Sequence, residues 1–132
     1  MTILVGYLDT PEGRAALDAG IAEARLREQP LVVVNSPRRG APVDDAMLAP
    51  EQVSEIVDRA TDHGVRVEVR QPLHGDSLAD TLESVAGEVG ASLVVIGLRH
   101  RSPVGKLILG STAQRILLDA SVPVLAVKAG RG

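Results

Sequence analysis

The residues best placed to do chemistry are Gly110, Ser111 and Thr112, which stand directly before a stretch of helical period. A helix leaves its first amides without partners inside the helix, and two hydroxyls beside those amides suit a phosphate. Gly110 lets the backbone come close to a ligand. The segment leading there starts at Gly97 and carries Arg99, His100 and Arg101, which add positive charge. A second short connection, Leu8-Asp9-Thr10, follows the first apolar run of the chain. Gly-Ser-Thr before an apolar helix also reads as an N-cap alone, so the sequence leaves both an anion site and a plain cap open.

Other chemistries fit less well. Gly105-Lys106 resembles the end of a Walker motif, but the spacing would need glycine at His100 and a hydroxyl at Leu107. Tyr7 to Gly13 holds no G-x-G-x-x-G, which argues against a dinucleotide fingerprint. A phosphoacceptor receiver would want acidic residues after the first and third strands, and the third ends Arg70-Gln71-Pro72. Ser111 has no nucleophile-elbow context and no paired base in sequence. His63, His74 and His100 form no metal pattern, and the chain has no cysteine. With no recognisable acid, nucleophile or metal cluster, the chain is expected to bind rather than to catalyse. Tyr7 is the only aromatic, so a bound ring would rest on aliphatic side chains and backbone.

The elements that must position these residues alternate. Apolar runs of strand length occur at Ile3 to Gly6, Leu31 to Val34, Leu93 to Ile96 and Val122 to Val127. Val65, Val67 and Val69 alternate with Arg66, Glu68 and Arg70, a period of two that marks a strand with one wet face near a sheet edge. Helical spacing is carried by Leu17, Ile21 and Ala24, with Thr10 as N-cap and Pro11 as first residue. It recurs in Val53, Ile56, Val57 and Ala60, which stop near His63-Gly64, then in Leu78, Leu82, Val85, Ala86 and Val89 capped by Asp76, and last in Ala113, Ile116 and Leu117. Residues 35–50 hold several prolines and a glycine and read as a long exposed loop.

Five strands alternating with four helices require parallel pairing, because each helix must carry the chain back across the sheet. The pattern predicts an α/β, Rossmann-like, doubly wound five-stranded parallel sheet of order 3-2-1-4-5 with helices on both faces, one domain over residues 1–132. That order reverses between the first and fourth strands, where such folds bind ligands. It brings the Leu8–Thr10 connection opposite the segment after Gly97. It also makes the fifth strand an edge although it is apolar on both faces, which invites a second chain.

Composition narrows the setting. The 132 residues are 45% apolar and 23% charged, ordinary for a globular chain. A net charge of −3 gives no basic surface for bulk capture of nucleic acid. The longest apolar runs are too short to cross a bilayer, and MTILVGYLDT has no basic n-region or apolar h-region. The cytoplasm is the expected location, with no nucleic-acid or membrane partner.

From Gly97 the chain reads GLRHRSPVGKLILGSTAQRILLDASVPVLAVK. This resembles the universal stress protein family, whose signature is G-x2-G-x9-G-(S/T) followed by a P-V-L-x-V-K strand. Gly97, Gly110 and Ser111 fall in register, Pro123 to Lys128 matches the terminal strand, and ILVG with Thr10-Pro11-Glu12 is similar to the family's opening. The resemblance implies a homodimer paired through the last strand, Pro123 to Lys128. It also implies regulatory binding of ATP, with magnesium, in stress response: the glycine-rich loop would hold phosphates and ribose, the backbone and a small apolar residue at Val34 and Asn35 the adenine, and an acidic residue after the first strand the nucleoside. Two positions depart from the pattern. His100 replaces the second glycine, filling volume that glycine leaves open. Leu8 aligns with the family's aspartate, and Asp9 lies one step later, a step that turns a side chain to the other face of a strand. The nucleotide-binding residues implied are thus Leu8, Asp9, Thr10, Val34, Gly97, Arg99, His100, Arg101, Gly110, Ser111 and Thr112. The alternative implied is a family member that does not bind ATP and acts as a dimeric protein-interaction module.

Overall fold

A computed structural model describes residues 1–8, 10–35, 48–71, 78–98 and 111–129. Its core grows from strand β1 (Thr2–Gly6), where Ile3, Leu4 and Val5 are fully buried. A strand shielded on both faces has no reason to alternate apolar with polar residues, and this one does not. The chain continues through α1 (Pro11–Arg27), β2 (Leu31–Val34), α2 (Pro50–Asp62), β3 (Val67–Arg70), α3 (Leu78–Val89), β4 (Ala91–Leu98), α4 (Ser111–Asp119) and β5 (Val124–Lys128). The strands pair in parallel in the order β3-β2-β1-β4-β5, as the alternation of elements predicts.

Side chains leave each strand on alternate faces and feed two separate cores. Ile3, Val5, Leu31, Val33, Leu93 and Val95 pack with Leu17, Ile21 and Ala24 of α1 and Ile56 and Ala60 of α2. Leu4, Val32, Val34, Val94 and Ile96 pack with Leu82, Val85 and Ala86 of α3 and Ile116 of α4. The two edges differ. In β3, Val67 and Val69 pack against the first core, while Glu68 points to water and pairs with Arg70 at 2.7 Å. Arg70 also reaches Glu88 on α3 at 3.0 Å. The hydrogen bond that Arg70 donates to the Glu68 carboxylate is the largest influence on Arg70 and raises its already high pKa. In β5, Leu125 and Val127 pack toward the first core and Val124 and Ala126 toward the second, all four half-buried.

Helix α1 begins as its sequence predicts. Thr10 is extended, Pro11 takes the first helical position, and the Gly13 amide donates to Thr10 Oγ1 at 3.0 Å. At the other end Glu28 adopts a left-handed φ of 56° while the Gln29 amide donates to the Ala24 carbonyl at 2.9 Å. Helix α2 closes the same way, with Gly64 at φ 73° and the Val65 amide on the Ala60 carbonyl at 2.9 Å. This explains one departure from the sequence reading. Val65 is buried as part of the helix stop, and β3 starts only at Val67.

Three further boundaries differ. Strand β4 runs from Ala91 to Leu98, longer than its central apolar run, and passes Gly97 by one residue. Strand β5 spans Val124–Lys128, later than the Val122 to Val127 run, with the Pro123 carbonyl already accepting from the Val94 amide at 2.9 Å. The expected exposed loop over 35–50 is exposed at Ala49 and Pro50 but buried at Asn35, 1% exposed, and at Leu48, 8% exposed, which has joined the first core. Asp76, expected to cap the third helix, lies outside the described residues.

Helix α1 lies close on the sheet because Gly20 faces β1. A Cβ on Gly20 would sit 2.3 Å from Val5 Cγ2. Gly20→Ala is therefore expected to destabilise the fold by about 1–3 kcal/mol through overpacking. The urea midpoint should fall at an unchanged m-value.

Candidate functional site

The carboxyl ends of the strands gather the chain connections at one end of the sheet. Strands β1 and β4 are neighbours there, and the chain leaves them toward opposite faces. All four helices start at this end, and two of them flank the switch point, α1 after β1 and α4 after β4. Each carries a partial positive charge at its first turn.

The two helix starts are not equivalent. In α1, Pro11 has no amide hydrogen, the Gly13 amide is taken by Thr10 Oγ1, and the Arg14 amide donates to the Thr10 carbonyl at 2.9 Å. Glu12 adds a carboxylate to that turn. Helix α1 thus satisfies and neutralises its own start. Helix α4 opens on Ser111 and Thr112, with Thr112 exposed and no acidic residue in its first turn.

The connection from β1 to α1 is tight. Leu8 is 37% exposed, and its carbonyl accepts from the Thr10 amide at 2.8 Å. A Cβ on Gly13 would lie only 1.8 Å from the Leu8 carbonyl oxygen. Gly97 approaches the same helical turn. A Cβ there would lie 2.2 Å from the Glu12 carbonyl oxygen. The open side of Gly97 is therefore filled by the first turn of α1.

On the β2 side, Val34 is fully buried in the second core, and its carbonyl accepts from the Tyr7 amide at 2.8 Å. Asn35 follows at the strand end, donating its amide to the Arg70 carbonyl at 2.9 Å and its Nδ2 to Gln71 Oε1 at 3.0 Å. The same Gln71 oxygen accepts from the Leu48 amide at 2.7 Å. One carboxamide oxygen thus joins the end of β2, the end of β3 and the approach to α2.

Of the residues singled out from sequence, Leu8, Thr10, Gly97, Ser111 and Thr112 lie at connections or strand ends on this side, with Val34 beneath them in the core. Asp9, Arg99, His100, Arg101 and Gly110 lie outside the described residues, as does the side chain of Ser111. Sequence reasoning missed Gly13 and the Asn35–Gln71–Leu48 junction. A glycine in the first turn of a helix was the available signal for Gly13, and a polar residue following an apolar strand was the signal for Asn35. Among the described residues no three His, Asp or Glu side chains gather to hold a metal, and no helix is long and apolar enough to cross a membrane.

The universal stress protein family model matches residues 1–128. The chain belongs to the universal stress protein family. A universal stress protein of Mycolicibacterium smegmatis is 45% identical over 126 residues, which cover 96% of each chain. A universal stress protein structure from Archaeoglobus fulgidus is 35% identical with a TM-score of 0.82, covering 97% of this chain and 98% of that one. The structure of the universal stress protein from Archaeoglobus fulgidus in complex with dAMP is 30% identical with a TM-score of 0.77 over the same shares, 97% and 98%. The family resemblance read from Gly97 onward and from the opening strand therefore holds across the chain.

In this universal stress protein the Gln71 junction gives a direct test of how the strand ends are held. Gln71→Met removes the acceptor of two buried donors and is expected to cost about 1–3 kcal/mol. Gln71→Glu keeps an oxygen in place and should cost clearly less. Urea unfolding of the two variants side by side makes the comparison.

Proposed function

We propose that this chain is a regulatory adenine-nucleotide-binding protein of the stress response, a single domain over residues 1–132 that binds ATP with magnesium and does not turn it over. One observation carries the reading: the two helix starts at the β1/β4 switch point are unequal, α1 being capped from within and α4 opening on Ser111 and Thr112 without acidic residues. An anion at that end is better received by α4. The dAMP complex of a relative with the same fold supports an adenylate as the ligand class.

The described residues fit a nucleotide as a frame more than as a set of contacts. Thr10 Oγ1 already accepts the Gly13 amide, Gly97 is packed on α1, and Val34 is buried, so these three shape the walls. Leu8 offers an exposed apolar surface to the nucleoside, with Asp9 beside it as the acidic group. Phosphate contacts fall to Arg99, Arg101, Gly110, Ser111 and Thr112, with His100 at the sequence position of the signature's second glycine. ATP bound there would supply a triphosphate whose charge the arginines and magnesium balance. The protein is assigned to the cytoplasm as a homodimer through Pro123 to Lys128, with no nucleic-acid or membrane partner.

A second reading has its own observation. Leu8 is exposed where the family's signature carries aspartate, and an apolar side chain there removes a hydrogen-bonding partner from the cleft. It favours an interaction module that leaves ATP unbound and works through its dimer surface.

Titration calorimetry with ATP and magnesium separates the two readings. Binding should appear as heat and as a thermal upshift of about 2.7 kcal/mol, on the order of 10 °C, at a hundredfold excess over Kd. No heat and no shift at millimolar nucleotide removes the first reading. Under the second reading, His100→Gly alone or with Leu8→Asp is expected to create ATP binding or tighten it by roughly tenfold or more, about 1.4 kcal/mol, and unchanged affinity would show that neither side chain closes the site.

A further inference from the structure

The first turn of α1 touches both the β1–α1 connection and the end of β4 at the switch point, and each contact depends on a missing side chain. On one side the Leu8 carbonyl oxygen occupies the space of a Gly13 Cβ, at 1.8 Å from where that atom would be, with the Leu8 carbonyl carbon at 2.8 Å and its nitrogen at 3.0 Å. On the other, the Glu12 carbonyl oxygen occupies the space of a Gly97 Cβ, at 2.2 Å, with the Glu12 carbonyl carbon at 2.6 Å. The nearest obstructing atoms are backbone in both cases, so no rotamer change relieves them. Gly13 and Glu12 are adjacent, so a single helical turn touches the β1–α1 connection and the end of β4 at once. The turn is itself rigid, tied by the Gly13 amide to Thr10 Oγ1 and by the Thr10 amide to Leu8.

We propose that Gly13 is a positioning residue for the nucleotide site. The first turn of α1 acts as a spacer that sets the separation of the two walls, and Gly13 fixes its thickness. This rests on the nucleotide-binding reading above. Gly13 touches no ligand in this account. It determines how far the Leu8–Thr10 connection stands from the end of β4, from which the chain leads on to the phosphate-binding start of α4.

Gly20 supplies the control, because it lies on the same helix and would also be overpacked by a Cβ, but against Val5 in the middle of the sheet. The test compares Gly13→Ala and Gly20→Ala for thermal stability and for affinity toward dAMP and ATP with magnesium. Both variants should lose stability. Gly13→Ala should also weaken nucleotide binding by roughly tenfold, whereas Gly20→Ala should stay within about twofold of the unsubstituted chain. Equal affinity in the two variants overturns the proposal while leaving the nucleotide reading intact. An unsubstituted chain that binds neither nucleotide removes the reading and the proposal with it. If Gly13→Ala does not fold, amide hydrogen exchange of the unsubstituted protein decides. Bound dAMP should slow exchange at Thr10, Gly13 and Arg14 as well as at Ser111 and Thr112, and protection confined to α4 overturns the proposal.

Discussion

The architecture depends on how closely α1 lies on the two central strands. Gly13, Gly20 and Gly97 each leave room for an atom of another segment: the Leu8 carbonyl, a Val5 methyl and the Glu12 carbonyl. The contacts at Gly13 and Gly97 bring backbone close against backbone, and the one at Gly20 seats the helix on a Val5 methyl. They leave little freedom in the angle or height of the helix, since a densely packed interface transmits any shift. The strand register follows from the same seating. Ile3 and Val5 are buried beneath α1, and they pair with Leu31 and Val33 on one side and Leu93 and Val95 on the other. Displacing the helix would disturb both sets of neighbours together.

That arrangement explains what could and could not be read from sequence. The order of elements was legible because burial on both faces writes apolar runs at Ile3–Val5, Leu31–Val34 and Leu93–Ile96, while the wet edge writes alternation at Val67–Arg70. Element ends were less legible. Val65 continues the alternating pattern but is held by hydrogen bonding to the end of α2, so a local helix stop overrides the strand period. Leu48 sits in a proline-rich stretch that reads as exposed, yet it is buried because the Gln71 side chain anchors its amide at the strand ends.

The site was legible in its position and not in its contacts. Strand order alone places the switch point between β1 and β4. Which atoms fill that end depends on approaches so close that a Cβ on the glycine would come within 3 Å of them, and no residue pattern encodes those. Gly97 illustrates the difference. As a signature glycine it reads as a place for ligand, whereas its open side is occupied by the α1 turn. Thr10 is similar: its hydroxyl has a structural partner in the Gly13 amide before any ligand arrives. A single turn of α1 therefore does two jobs, capping its own helix and separating the walls of the cleft.

An edge strand exposes unpaired backbone groups unless something blunts it. At β3 the blunting is visible in Glu68 and Arg70, with Glu88 of α3 joining the charge cluster. At β5 four consecutive apolar residues, Val124 to Val127, are only half-buried, and the charge comes at the end, in exposed Lys128. Leu117 and Leu118 of α4, the helix leading into β5, are 37% and 83% exposed. Among the described residues the β3 edge is guarded by charge and the β5 edge is not, which is what a chain needs if it is to add a second copy on one side of the sheet and stop on the other. That asymmetry is the physical ground for assigning the proposed homodimer to the last strand. It also leaves the β1/β4 switch point, two strands in from β3 and one from β5, inside a continuous sheet where its walls stay fixed.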